Sequence, residues 1–213
     1  MFKERLLLTM KKKLPEFYDR YPDALDRYYG GLRRAPDSYA NLVYYSKINT
    51  RFVGTDGVAR SARFRLLQWD SDGSEPGQMT QRDRDGFLDT ERWPEEKRAK
   101  DSLRNELKQR LGQGKINYRL QIAIRDSVDD YSDSSYDPTR AWDEQQFPWR
   151  DLARIILTDP LEDEVTEALE FNIANAPASL GVFKAGRSTD FTSVGHLRTT
   201  LYKRSAWARR LRR

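Results

Sequence analysis

Residues 51–68, "RFVGTDGVARSARFRLLQ", set Asp56-Gly57 between two runs in which apolar residues alternate with polar ones. That pattern dictates a chain reversal. Asp-Gly supplies the positive φ that a tight hairpin turn needs, and a period of two gives each flanking strand one face to bury. Two antiparallel strands are therefore expected on either side of the turn. A third strand is expected at "INYRLQIAIRD", where Ile116, Tyr118, Leu120, Ile122 and Ile124 alternate, and a fourth at "WRDLARIILTD".

The remaining segments read differently. In "PEEKRAKDSLRNELKQRLGQG", Leu103, Leu107 and Leu111 recur at i, i+4 and i+8 with Gly112 near the end, the pattern of an amphipathic helix. "PLEDEVTEALEF" reads as a short helix, and the last twenty-odd residues as a longer one. Between Leu14 and Ser46 the chain reads as helical pieces broken at Pro22, Gly30-Gly31 and Pro36, with a helix start at Asp37. Asp70 to Glu96 reads as a polar surface excursion, "SVDDYSDSSYDPTRAWDEQQFP" as a loop, and "NIANAPASLGVFKAG" as irregular. The expected class is α+β, antiparallel strands with helices at both ends.

With 213 residues the chain has room for one domain or at most two small ones. Zero cysteine removes disulfides, cysteine metal sites and thiol catalysis, and it fits a reducing, cytoplasmic location. No apolar run approaches the roughly 20 residues of a membrane-spanning helix. The net charge of +5 is concentrated at one end: Arg198, Lys203, Arg204, Arg209, Arg210, Arg212 and Arg213 account for seven positive charges, and the rest of the chain carries −2. A nucleic-acid surface spread over the fold is therefore not expected. The aromatic pairs Tyr28-Tyr29 and Tyr44-Tyr45 do not interleave with basic residues as a single-strand-binding surface would.

No phosphate loop, nucleophilic triad or histidine cluster stands out, and the acids are scattered, so none can be paired as general acid and base. Attention falls on "VGHLRTTLYKRSAWARRLRR", which contains the only histidine, His196. On a helix Arg198 lies about 40° and Arg209 about 20° from Tyr202, so the three share one face. That face is either a solvated basic surface with a tyrosine in it or a site. A guanidinium one turn from a phenol favours the phenolate, and a phenolate is an axial ligand for ferric haem iron.

Several segments, taken in order, resemble the catalase superfamily: "DPTRAWDEQQFPWRDLARIILTDP", then "FNIANAPASLG", then "LRTTLY" with its Arg-x-x-x-Tyr. "LRRAPDSYANLVYYS", "KINYRLQIAI" and "FNIANAPASLG" are more similar to the catalase-related allene oxide synthases, known best as domains fused to a lipoxygenase. The resemblance runs from about Leu32 to Arg210. It implies ferric haem b as cofactor, with Tyr202 as the iron's axial ligand, Arg198 keeping it anionic and Arg209 meeting a propionate. Ile173 stands where ordinary catalases carry proline, and the allene oxide synthase branch resembles this chain there.

The implied fold is part of an antiparallel catalase-type barrel of about four strands, residues 32–213 forming the C-terminal half of the haem domain behind a helical lead-in over 1–31. The implied activity is that of a fatty-acid hydroperoxide dehydratase, a lyase in which ferric haem cleaves the O–O bond of the substrate. The family's distal histidine and asparagine belong to an N-terminal half that nothing before Leu32 resembles. The expectation is therefore a chain that works with a partner half, and with a fused or associated lipoxygenase, without nucleic acid or a membrane span. A non-catalytic haem module, or a catalase-type peroxide-disproportionating protein once completed by a partner, are the alternatives.

Overall fold

The computed structural model describes residues 14–20, 22, 30–85, 96–138 and 140–211. The chain divides into two compact units, one of residues 1–42 and 72–107, the other of residues 43–71 and 108–213.

In the first unit, helix α1 spans Leu14–Arg20. The rest of the lead-in expected over 1–31 lies almost wholly outside the described residues, as do Tyr28-Tyr29. The helix start expected at Asp37 is instead a single 3-10 turn, Tyr39–Asn41, capped by Ser38, whose hydroxyl accepts from the Ala40 N–H at 3.0 Å. The excursion after Asp70 carries its own order. The Arg34 N–H donates to Gly77 O at 2.7 Å, and a Cβ on Gly77 would lie 2.5 Å from Arg34 O, so the position requires glycine. Helix α2, Gln81–Asp85, begins where Asp83 accepts from the Thr80 N–H and hydroxyl at 2.8 and 2.6 Å and pairs with Arg34 at 2.9 Å. Helix α3, Ser102–Gln113, is the amphipathic helix expected, beginning later than its sequence pattern suggested and burying Leu111.

The second unit is built on one antiparallel sheet of six strands: β1 Tyr44–Tyr45, β2 Thr50–Val53, β3 Ala59–Gln68, β4 Ile116–Asp126, β5 Arg150–Leu157 and β6 Leu180–Val182. Their order is β5-β4-β3-β2-β6, with β1 beside β3. The Asp-Gly hairpin is present between β2 and β3. Gly57 has φ 73°, and Asp56 accepts from the Val58 N–H at 3.0 Å. From Arg60↔Asp126 to Gln68↔Tyr118, β3 and β4 stay in register and bury Ala62, Leu67, Ile116, Tyr118, Ile122 and Ala123. A bulge at Leu120/Gln121 gives β5 an extra residue, Leu152.

The expected barrel geometry is not met. Among the described residues the sheet is open, with β5 and β6 each paired on one side only. Closure needs about eight tilted strands, and two of these six are only two and three residues long. β5 is the barest strand, with Leu152 and Ile156 about half exposed.

The loop after β4 covers one sheet face. Tyr136, on a 3-10 turn at Ser134–Tyr136, donates to Val128 O at 2.7 Å and packs edge-on against Phe183, ring centroids 5.0 Å apart. Arg63 lies 4.5 Å over the Trp142 ring and donates to Asn49 Oδ1 at 2.6 Å, while Arg65 lies 4.7 Å over Trp149. Beyond β5 come helix α4, Asp163–Ala168, a 3-10 turn at Ile173–Asn175, and helix α5, Ser193–Arg210.

Candidate functional site

Helix α5 carries Arg198, Tyr202 and Arg209, and its first turn fixes where they lie. Thr192 donates its hydroxyl to Lys184 O at 3.0 Å, and a His196 ring nitrogen lies 2.9 Å from Phe183 O. Asp190, buried, accepts from the N–H groups of Gly186 and Arg187 at 2.8 Å each and closes the loop ahead of the helix. Gly195 is buried where α5 meets β6 and has no room for a side chain: a Cβ there would collide with Val182 Cγ1 and sit 3.3 Å from Ile48 Cδ1. The helix is thus seated on the sheet through its first turn, and the later turns extend to α4 and the Ile173–Asn175 turn.

Those later turns wall a groove of about 530 Å³ lined by Phe171, Asn172, Ile173, Tyr202, Ser205 and Arg209. Arg198 donates from Nη2 to the phenolic oxygen of Tyr202, with its guanidinium carbon 5.4 Å from the ring centroid. Arg209 donates to Glu167 O at 3.3 Å, Leu169 O at 2.6 Å and Ser205 Oγ at 3.0 Å. It thereby ties α5 to carbonyls at the end of α4, where a cation complements the helix dipole. Arg210 pairs with Glu170 at 2.7 Å. Phe171 forms the rim and is 67% exposed.

The structure therefore brings all three expected residues together: Tyr202 and Arg209 in the groove wall, Arg198 on the phenol. His196 lies about 120° around the helix from Tyr202 and is engaged with Phe183. Arg212 and Arg213 lie outside the described residues. Asn172 and Ser205 were not singled out by the sequence. Asn172 falls within the quoted "FNIANAPASLG", and Ser205 lies three residues after Tyr202, on the same face at helical spacing. Among the described residues no group of three or more histidine, cysteine or acidic side chains could hold a bare metal ion, and no helix is long and apolar enough to cross a membrane.

A bacterial catalase superposes with a TM-score of 0.64 over 91% of this chain and 35% of its own, at 14% identity. A fungal catalase gives 0.58 over 80% and 31%, at 16% identity. The fold is catalase-like. In sequence the chain is 40% identical over 185 residues to the allene oxide synthase-lipoxygenase protein of Plexaura homomalla, a match covering 85% of this chain and 17% of that protein. It is 33% identical over 174 residues to a linolenate 9R-lipoxygenase of a Nostoc species, covering 76% of this chain and 21% of that protein. It is also 27% identical over 179 residues to an uncharacterised Sinorhizobium fredii protein, covering 77% of that one. The chain belongs to the catalase-related, allene-oxide-synthase-like domains. It spans about a fifth of the two named relatives and a third of the catalases. No family model matches it.

Proposed function

We propose that this chain forms the proximal side of a haem b site and that the assembled site is a fatty-acid hydroperoxide dehydratase. The observation that carries this reading is the Arg198 guanidinium on the Tyr202 phenol, at the wall of a groove edged by Phe171 and Ile173. The residues suit the cofactor. A phenol oxygen would serve as a ligand to ferric iron, and two apolar side chains would offer a surface for a macrocycle. Arg209 uses three of its five N–H groups on protein acceptors, which leaves two for a propionate. Ferric haem, when bound, supplies the redox chemistry that opens an O–O bond.

Each residue then has a task of its own. Tyr202 offers its oxygen to the iron. Arg198 holds that oxygen in place by a charge-assisted hydrogen bond. Arg209 holds a carboxylate while locking α5 to α4. Phe171 and Ile173 would give the macrocycle apolar surface at the edge of the groove. His196 is off this face, and it is the one histidine in the sequence. Orientation and proton handling at the peroxide would accordingly fall to a further segment or partner chain, with residues 32–213 read as the C-terminal half of the haem domain. The lipoxygenase names borne by two relatives support a lipoxygenase, fused or associated, as the source of the hydroperoxide.

The test compares haem-loaded chain alone with chain supplemented by the remaining portion of a relative's allene-oxide-synthase-like domain. Each is offered a fatty-acid hydroperoxide and, separately, hydrogen peroxide. Loss of conjugated-diene absorbance is expected only in the supplemented sample, and Tyr202→Phe should remove it. Rapid consumption of hydrogen peroxide alone would assign the catalase-type alternative. Haem binding with no turnover of either peroxide, supplemented or not, would assign the non-catalytic one. Hydroperoxide turnover that survives Tyr202→Phe would overturn the reading.

A further inference from the structure

A second cavity lies away from Tyr202, at the end of the sheet that carries the Asp56-Gly57 turn. It encloses about 510 Å³, within the range of roughly 300–1,000 Å³ in which small organic ligands bind. Its apolar side is Phe52, Ile124, Phe147 and Pro148; its charged side sets Arg60, Arg125 and Arg150 against Asp56 and Asp126.

The three arginines are not equivalent. Arg60 is neutralised within the turn by Asp56, at 3.0 and 2.6 Å. Among the described residues neither Arg125 nor Arg150 forms an ion pair, although the charge of Arg125 is felt at Asp133. Arg125 lies 5.0 Å over the Phe147 ring and 5.5 Å over Trp142, and its Nε is buried without an acceptor. A buried N–H left unpaired is costly, so a site that keeps one has a use for it. Arg150 starts the bare strand β5 and is exposed, and among the described residues its side chain makes no hydrogen bond or ion pair. The neighbouring Arg63 registers the surplus of positive charge: its guanidinium is lowered to about 10, by burial first and then by the charge on Arg125. Three guanidinium groups against two carboxylates leave the wall with an excess of positive charge, and beside two phenylalanine rings that excess complements an anion that carries an apolar body. A free inorganic anion would leave the rings uncovered, and a neutral apolar molecule would leave the arginines unpaired.

We propose that this cavity binds an organic carboxylate, its head group between Arg125 and Arg150 and its apolar body against Phe52, Ile124 and Phe147. The site does not depend on haem or on Tyr202.

Titration calorimetry on the full chain tests it with 4-phenylbutyrate, its neutral counterpart 4-phenylbutanol, and inorganic phosphate. Phenylbutyrate should bind at least tenfold more tightly than either control. Arg150→Gln, an exposed change that leaves the sheet intact, should weaken it at least tenfold, and Arg125→Lys, which keeps the charge but loses the planar stack, severalfold. Tyr202→Phe should change nothing. Equal binding of the acid and the alcohol would overturn the carboxylate, and equal binding of phosphate would overturn the apolar body. Affinity unchanged in Arg150→Gln but lost in Tyr202→Phe would place the ligand in the other groove and refute the site.

Discussion

Replacing Gly195 by alanine should loosen the seating of α5. In an ordinary helix the change stabilises by up to about 1 kcal/mol, less near an end, and Gly195 is only the third residue of α5. Here the added methyl collides with Val182 Cγ1 and lies 3.3 Å from Ile48 Cδ1. Restoring carbon contacts of about 3.5–4 Å means parting helix and strand by roughly an ångström. Val182 pairs with Thr50 through β6 and β2, and its β-branched side chain has few rotamers to retreat into. Overpacking of this kind costs about 1–3 kcal/mol. The net should be a loss of about 1–2 kcal/mol, or roughly 2–8 °C in Tm for a domain of this size. Urea denaturation followed by circular dichroism measures it, and a double-mutant cycle with Val182→Ala isolates the collision. In the Val182→Ala background the same change should become neutral or stabilising. A Gly195→Ala protein that is more stable in both backgrounds would refute the argument that close approach demands glycine.

Tyr136→Phe should cost roughly 1 kcal/mol in chemical denaturation, because Val128 loses both its hydrogen bonds to the phenol, at 2.7 and 3.0 Å. Burial pushes the Tyr136 hydroxyl up, so in the folded protein it should ionise above free tyrosine. The Asp56 carboxyl is held down to about 2 by the Arg60 guanidinium and the Val58 N–H. Its folded value lies below the unfolded one near ~3.9, so its contribution to the turn is present above that range and fades as pH falls toward 2. Carboxyl NMR on the chain and on Asp56→Asn checks the midpoint. Affinity for DNA or RNA should be weak at physiological salt, since Arg209 and Arg210 are committed within the fold; submicromolar binding with a steep salt slope would contradict this.

Where the sequence pattern was long and regular, it was legible. The Asp-Gly turn, the eleven residues of β4 and the leucine spacing of α3 each repeat a period often enough to identify the element. β1 and β6, of two and three residues, are too short to show alternation; they exist because β3 and β2 offer them free edges. The open sheet could not be read at all, because closure depends on strand number and register over the whole unit. Helical spacing placed Arg198, Tyr202 and Arg209 on one face. What it could not show is that Arg209 spends three N–H groups on α4 and its own helix, or that Phe171 forms the groove's rim, since both depend on how distant segments pack.

Resonance Raman spectroscopy of the ferric-haem complex tests Tyr202 as the iron's ligand most directly. Wild-type chain should show iron–phenolate vibrations, and Tyr202→Phe should lose them while His196→Ala keeps them. Vibrations unchanged in Tyr202→Phe, or an imidazole-ligated iron that disappears in His196→Ala, would contradict it.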